Sequence, residues 1–261
     1  MIRQTEYSLR TENGTRLTAA AGSVLHGALM EKLPAEAATA WHQNTVRPYS
    51  QGLYYDRRRE WTIWRINTLT AEAAAVLDEA LQAAGPQIFL KQKNLTVELA
   101  DKAVRETTFE QLTEDAFTME QPRGGELHFL TATGFKQAGR YVLWPETSLI
   151  WQSLLIRWNA FAEEKIDSPD LHRELAELSE LSKYQLRSQA YSVDGNTIFG
   201  FAGSMRLRFS GSDMARRILT LLTTFAPFAG VGIKTALGMG ITDTILQTRD
   251  KQKHETGEIQ I

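Results

Sequence analysis

One order of elements, written twice along the chain, constrains the fold more than any single motif. Each half reads strand, helix, two strands, helix, strand. Residues 2–11 open the first half as a strand. Residues 21–41 are helical with a break at Pro34, because a proline ring and its missing N–H interrupt a helix. Residues 53–55 and 61–69 are strands around the charged turn Asp56-Arg57-Arg58-Arg59-Glu60. Over 70–84 the signals of a helix agree: Thr70 as N-cap, Glu72 in the first turn, Gly85-Pro86 as the stop. Residues 87–99 are rich enough in β-formers for one long strand or a hairpin. In the second half, 127–135 and 140–143 make a hairpin around Gly139, and 145–164 make a helix carrying Leu149, Leu154, Trp158 and Phe161. A short charged helix covers 169–181. Strands 184–193 and 197–209 flank Asp194-Gly195-Asn196, a strong hairpin signal. A helix over 212–225, a glycine run and a last strand over 241–246 close the chain.

This order implies an α+β protein of two tandem ferredoxin-like (βαββαβ) domains, each a four-stranded antiparallel sheet with helices on one face. The boundary falls at the linker-like Gln121-Pro122-Arg123-Gly124-Gly125. It divides the chain into 1–121, 122–246 and a polar tail, 247–261, expected to fray. A length of 261 residues suits two ordinary domains, and 43% hydrophobic residues suffice for their cores. The six tryptophans read as core. Cysteine is absent, which excludes disulfides and thiolate metal sites and permits a reducing cytoplasm. No stretch is long and apolar enough for a membrane helix, and the N-terminus lacks the apolar core of a secretion signal. The formal net charge is −2, so a nucleic-acid ligand needs a local basic face. Sheets of this kind bind RNA in the RRM module, but neither half has the aromatic signature of that module.

The glycine run Gly230-Val-Gly-Ile-Lys-Thr-Ala-Leu-Gly-Met-Gly240 is the most informative motif. Successive N–H groups in such a loop form an anion cradle, and Lys234 adds a full charge. Ordinary turn chemistry accounts for the same residues. A nucleotide fits poorly: Ile233 separates Gly232 from Lys234, the flanking order is helix then strand, and the glycine spacing is not that of a dinucleotide fold. Magnesium-binding carboxylates of a nucleotide hydrolase are also missing, and no histidine or carboxylate cluster has metal-ligand spacing.

The glycine run resembles the loop of the CRISPR repeat-processing endoribonucleases of the repeat-associated RNA-binding superfamily. Other segments resemble them in order: Gly22-Ser-Val-Leu-His-Gly-Ala-Leu-Met30 their first helix, Trp41-His42 and Arg47-Pro-Tyr-Ser-Gln51 their histidine segment. Phe129-Leu-Thr-Ala-Thr-Gly-Phe135 resembles their Phe-x-Thr-Pro-Thr-x-Phe strand, with Ala132 where proline is usual. Gly22-Ser-Val-Leu-His-Gly27 is most similar to bacterial type III-A members.

The resemblance implies cytoplasmic, metal-independent cleavage of CRISPR repeat RNA with no cofactor. Attack by a 2′-hydroxyl gives a 2′,3′-cyclic phosphate and a 5′-hydroxyl. It implies His42 as a catalytic group, with His26 joining the site, and Arg47 is the candidate cation for the phosphorane. Sixteen residues separate the histidines, roughly 24 Å on a straight helix, so the chain must bend near Pro34 for them to meet. His26 also suits plain packing between Leu25 and Leu29, and Arg47 suits an ordinary surface. RNA binding falls to Gly230, Gly232, Lys234, Thr235, Gly238, Met239 and Gly240 of the loop. Arg206 and Arg208 join them, alternating on one strand face with Met205, Leu207 and Phe209 opposite. Repeat RNA, precursor and mature, is the implied partner, with a homodimer and transient contact with a CRISPR effector complex besides. The competing reading is a non-catalytic scaffold that binds guide RNA, which has no need of His26 and His42. His128, His172 and His254 carry no role.

Overall fold

The computed structural model describes residues 1–193 and 195–248, and the backbone alone of His42. Asp194 of the expected hairpin turn, His254 and most of the expected tail lie outside that range.

The first half runs β1 (Ile2–Thr11), α1 (Gly22–Met30), α2 (Ala35–Gln43), β2 (Tyr49–Asp56), β3 (Trp61–Thr68), α3 (Ala71–Ala84), β4 (Gln87–Leu90), β5 (Leu95–Thr107) and α4 (Phe109–Thr118). Its sheet is antiparallel with order β2-β3-β1-β5-β4. That is five strands where four were expected. Asn94 turns the chain in the left-handed region (φ 45°), so 87–99 folds as a hairpin and adds β4 at the edge. The second half runs β6 (Gly124–Thr133), β7 (Phe135–Gln137), β8 (Arg140–Val142), α5 (Thr147–Phe161), α6 (Leu171–Glu177), β9 (Ser179–Val193), β10 (Asn196–Phe209), α7 (Asp213–Ala229) and β11 (Thr242–Gln247). Its main sheet has order β11-β6-β10-β9, while β7 and β8 form a separate two-stranded ribbon instead of extending β6. Gln247 ends β11 rather than opening a tail.

Pro34 separates α1 from α2, as its φ/ψ of −53°/138° requires. Thr70 caps α3 by accepting from the Ala73 N–H at 3.1 Å. α4 was not foreseen, although Thr108 caps it in the same way and Phe109, Leu112 and Ala116 line its buried face. Trp41, Trp64, Trp151 and Trp158 are buried as expected, but Trp144 is 65% exposed. No helix among the described residues is long and apolar enough to cross a membrane.

The two halves meet along a polar seam. One face of the first sheet packs Tyr7, Leu9, Leu53, Trp64 and Ile66 against α1 and α3. Its other face carries Gln4, Glu6, Ser50, Arg65 and Asn67, and the second half covers it. Gln4 Nε2 and Asn67 Nδ2 both donate to the Pro227 carbonyl at 3.1 Å. Arg65, 4% exposed, pairs with Glu6 at 2.7 Å and with Asp243 of β11 at 2.6 Å. Pro227 has no N–H for the Thr223 carbonyl, which accepts from Thr244 Oγ1 of β11 at 3.0 Å instead.

Candidate functional site

α1 and the segment after α2 build the first part of the site. His26, Met30, Ala38, Thr39, Trp41, Gln43 and Arg47 line one cavity of about 380 Å³. The bend at Pro34 folds α2 back so that the positions on either side of His42 reach the cavity that His26 lines; the side chain of His42 is outside the described residues. Arg47 Nε donates to the Trp41 carbonyl at 3.1 Å, which closes the turn between α2 and β2. The Trp41 ring packs on Tyr49 with centroids 4.7 Å apart.

Tyr49 anchors His26. Its Oη lies 2.8 Å from His26 Nδ1, and the two rings stack at 14°. Burial pushes the Tyr49 phenol well above its ordinary range, against the charge and hydrogen bond of Arg47, so the phenol keeps its proton. The contact with the phenol occupies Nδ1 of His26 and fixes the plane of its ring.

The glycine loop forms the second part, and its own hydrogen bonds consume most of the expected cradle. The N–H groups of Gly230, Val231, Ile233 and Gly240 donate to the carbonyls of Ala226, Gly240, Gly134 and Ala132. Those of Gly232 and Ile241 donate to Ser153 Oγ and Thr131 Oγ1. Leu237 and Met239 both donate to the Lys234 carbonyl, at 2.9 and 3.3 Å. Gly230, Gly232, Thr235, Gly238, Met239 and Gly240 are buried, whereas Ile233, Lys234 and Leu237 reach the surface. Lys234 sits in the left-handed region, φ 53°, a conformation that costs a non-glycine residue energy and is held by its surroundings.

The loop also fastens the halves together. Gly238 (φ 108°) lies so close to the start of α1 that a Cβ on it would meet Tyr191 Oη at 2.1 Å and Gly22 Cα at 3.1 Å. Tyr191 Oη donates to the Leu237 carbonyl at 2.6 Å. Gln51, fully buried, donates to the carbonyls of Gly22 and Ala236 at 2.9 Å each and accepts from Trp64 Nε1 at 2.8 Å.

Arg47 joins the two parts, because it lines a second cavity, of about 450 Å³, together with Gly232, Lys234 and Thr235. Arg157 and Lys136 line it too, and the sequence reading passed over both. A charged residue within the apolar run of α5, Ile156-Arg157-Trp158, was the available signal. Arg206 and Arg208 stand elsewhere: they lie opposite Glu126 and Gly124 of β6, whereas Gly240 of the loop meets Ala132 of that strand, roughly 20 Å or more further along at the rise of a β-strand. They share the face opposite Met205, Leu207 and Phe209 as expected, and they pair with Glu126 at 2.9 Å and Glu180 at 3.2 Å. Among the described residues no three histidine or carboxylate side chains converge to hold a metal ion.

The profile of the CRISPR-associated endoribonuclease Cas6 family matches residues 127–242, from β6 through the glycine loop into β11. The CRISPR-associated endoribonuclease Cas6 of Mycobacterium tuberculosis (strain CDC 1551 / Oshkosh) is 32% identical over 222 residues, covering 84% of this chain and 70% of that protein. Its counterpart from Streptococcus thermophilus is 28% identical over 219 residues, 82% of this chain and 87% of that one. The solved structure of a Thermus thermophilus Cas6 superposes with a TM-score of 0.72 at 25% identity, covering 94% of this chain and 98% of that one. Identity at that level, spread across both halves and joined to the shared two-sheet fold, establishes that this chain belongs to the CRISPR-associated endoribonuclease Cas6 family.

Proposed function

We propose that this endoribonuclease cuts CRISPR precursor RNA within its repeats to release mature guide RNA, without a metal ion. The 2′-oxygen of the nucleotide 5′ to the cut loses its proton and bonds to the adjacent phosphorus. The bond from phosphorus to the 5′-oxygen breaks, and that oxygen takes a proton. The products are a 2′,3′-cyclic phosphate and a 5′-hydroxyl. His26 and His42 divide the two proton transfers, each of a kind worth roughly 10²–10⁴ in rate. Arg47 stabilises the charge gathered on the phosphorane. The observation that carries this reading is the cavity shared by His26, Arg47 and the positions flanking His42. Lys234 and Thr235 hold the RNA backbone. Gly230, Gly232, Gly238, Met239 and Gly240 serve the grip from behind by setting the path of the loop, and Arg206 and Arg208 extend the contact across the outer sheet face. The reaction belongs in the cytoplasm, with the repeat transcripts it consumes.

In the deciding experiment, cognate repeat RNA is incubated with the protein in excess EDTA. Cleavage should persist, and His42→Ala should abolish it while leaving binding largely intact. Dependence on added Mg²⁺, or full activity in the variant, rejects the mechanism.

A further inference from the structure

The second cavity, about 450 Å³, lies between the segment leading into β2, helix α5 and the glycine loop. Arg47, Lys136, Arg157 and Lys234 line it, and no aspartate or glutamate does. In a chain with a formal charge of −2, four cations on one concave wall are a local excess of a single sign. Such a wall concentrates an anion.

Arg157 sharpens the argument. It is half-buried in the middle of α5. Its guanidinium donates to the carbonyls of Ser153 and Gly232 at 3.3 and 3.0 Å and to Thr235 Oγ1 at 2.8 Å. All three acceptors are neutral, and no carboxylate among the described residues pairs with it. Burial pulls its guanidinium down to about 10, which leaves it charged at neutral pH. A sheltered cation without a counter-charge is costly, and proteins normally supply one. Three hydrogen bonds also leave part of the five-donor fork unused. The wall therefore lacks a planar acceptor bearing negative charge, which is what a phosphate offers.

The rest of the lining is not that of a bare anion site. Val46 and the half-exposed Ile156 are apolar, and Asn44 and Gln152 bring amide edges. The volume matches a site for one small molecule. A duplex keeps its bases stacked inside, whereas an unpaired nucleotide presents both its ring and its edges to a protein.

We propose that this cavity seats a single unpaired nucleotide of the RNA, with its phosphate on Arg157 and Lys234, its base against Ile156 and Val46, and Asn44 and Gln152 reading its edge. Arg47 lines this cavity and the one that holds His26, so the seated nucleotide neighbours the scissile phosphate. The inference rests on the proposed RNA cleavage and adds to it a place where the RNA must be unpaired.

The test uses the full chain and repeat RNA made uncleavable by a 2′-deoxy substitution at the cut. Binding is measured across a salt series for the wild type, Arg157→Gln, Arg157→Lys and Lys136→Gln. Arg157→Gln should bind at least tenfold more weakly, with a salt slope smaller by about 0.7, the loss of one phosphate contact on a single strand. Arg157→Lys should keep the slope. Lys136, exposed on the same wall, gives a second reading that does not depend on α5 packing, and Lys136→Gln should also lower the slope. Neutral methylphosphonates are then placed singly beside the cut. At one position the substitution should weaken the wild type and leave Arg157→Gln unaffected. Unchanged slopes in both glutamine variants, or methylphosphonate effects that add to Arg157→Gln at every position, overturn the proposal. A wild type that neither binds nor cuts unmodified repeat RNA instead removes the parent reading.

Discussion

The hydrogen bond between Tyr49 Oη and His26 Nδ1 gives one phenol control over the orientation of a candidate catalytic imidazole. Tyr49→Phe keeps the ring that packs on Trp41 and deletes only the hydroxyl. A net hydrogen bond is worth roughly 0.5–1.5 kcal/mol, so the cleavage rate should fall by up to about tenfold. The loss should fall on kcat rather than KM, and the pH–rate profile should shift. An unchanged profile would make Tyr49 a packing residue only. In the sequence Tyr49 stood out only as part of the segment Arg47-Pro-Tyr-Ser-Gln51. Its partner stands 23 residues away, and no local pattern connects them. His26 itself was legible, because the helix that carries it resembles a family motif. Arg157 was not, because its significance lies in the missing carboxylate, and only packing reveals which charges a helix meets.

At the scale of elements, the glycine loop behaves as a clasp more than as a cradle. Its N–H groups are largely committed to the protein, and its glycines permit contacts closer than any side chain allows. Gly238→Ala should destabilise the fold by about 3 kcal/mol, combining overpacking of roughly 1–3 with left-handed strain of roughly 1–2. Thermal melting of Gly238→Ala, Tyr191→Phe and the double variant checks this. Because the clash is with the Tyr191 hydroxyl, the double variant should lose less than the sum of the singles, and strict additivity would rule that clash out. Local signals identified elements well where caps and breakers stand in sequence, as at Thr70 and Pro34. α4 carried comparable signals at Thr108 and Phe109. Its buried face is completed by α5 and α7, elements far later in the chain, where Phe109 meets Trp158 and Phe225.

Across the whole molecule, a charged network pins the halves. Glu6 accepts from Arg65 and Tyr54, and Arg65 continues to Asp243 of the second half. Burial alone would raise the Glu6 carboxyl, but Arg65, Tyr54 and Arg59 outweigh it and hold it below its ordinary value. A carboxylate depressed in the folded state adds stability above its unfolded value, near 4.3, and loses it as pH falls through the folded one. Between about pH 5 and pH 2 the melting temperature of the wild type should therefore drop more steeply than that of Glu6→Gln. Parallel curves across that window would remove Glu6 from the account of acid sensitivity.

By itself the sequence determined most of the elements in their order, though not α4, together with the bend between the helices of the histidine segment and the presence of a special loop. These depend on φ/ψ limits, caps and periodicity, which act over a few residues. Only the tertiary structure decided that the polar face of β1 and β3 is a buried seam, that most of the loop's N–H groups are spent, and that Arg47 stands between two cavities. Those facts arise from contacts between segments up to about 220 residues apart, such as Gln4 with Pro227. Burial and hydrogen-bond satisfaction are properties of the assembled chain, and no stretch of sequence carries them alone.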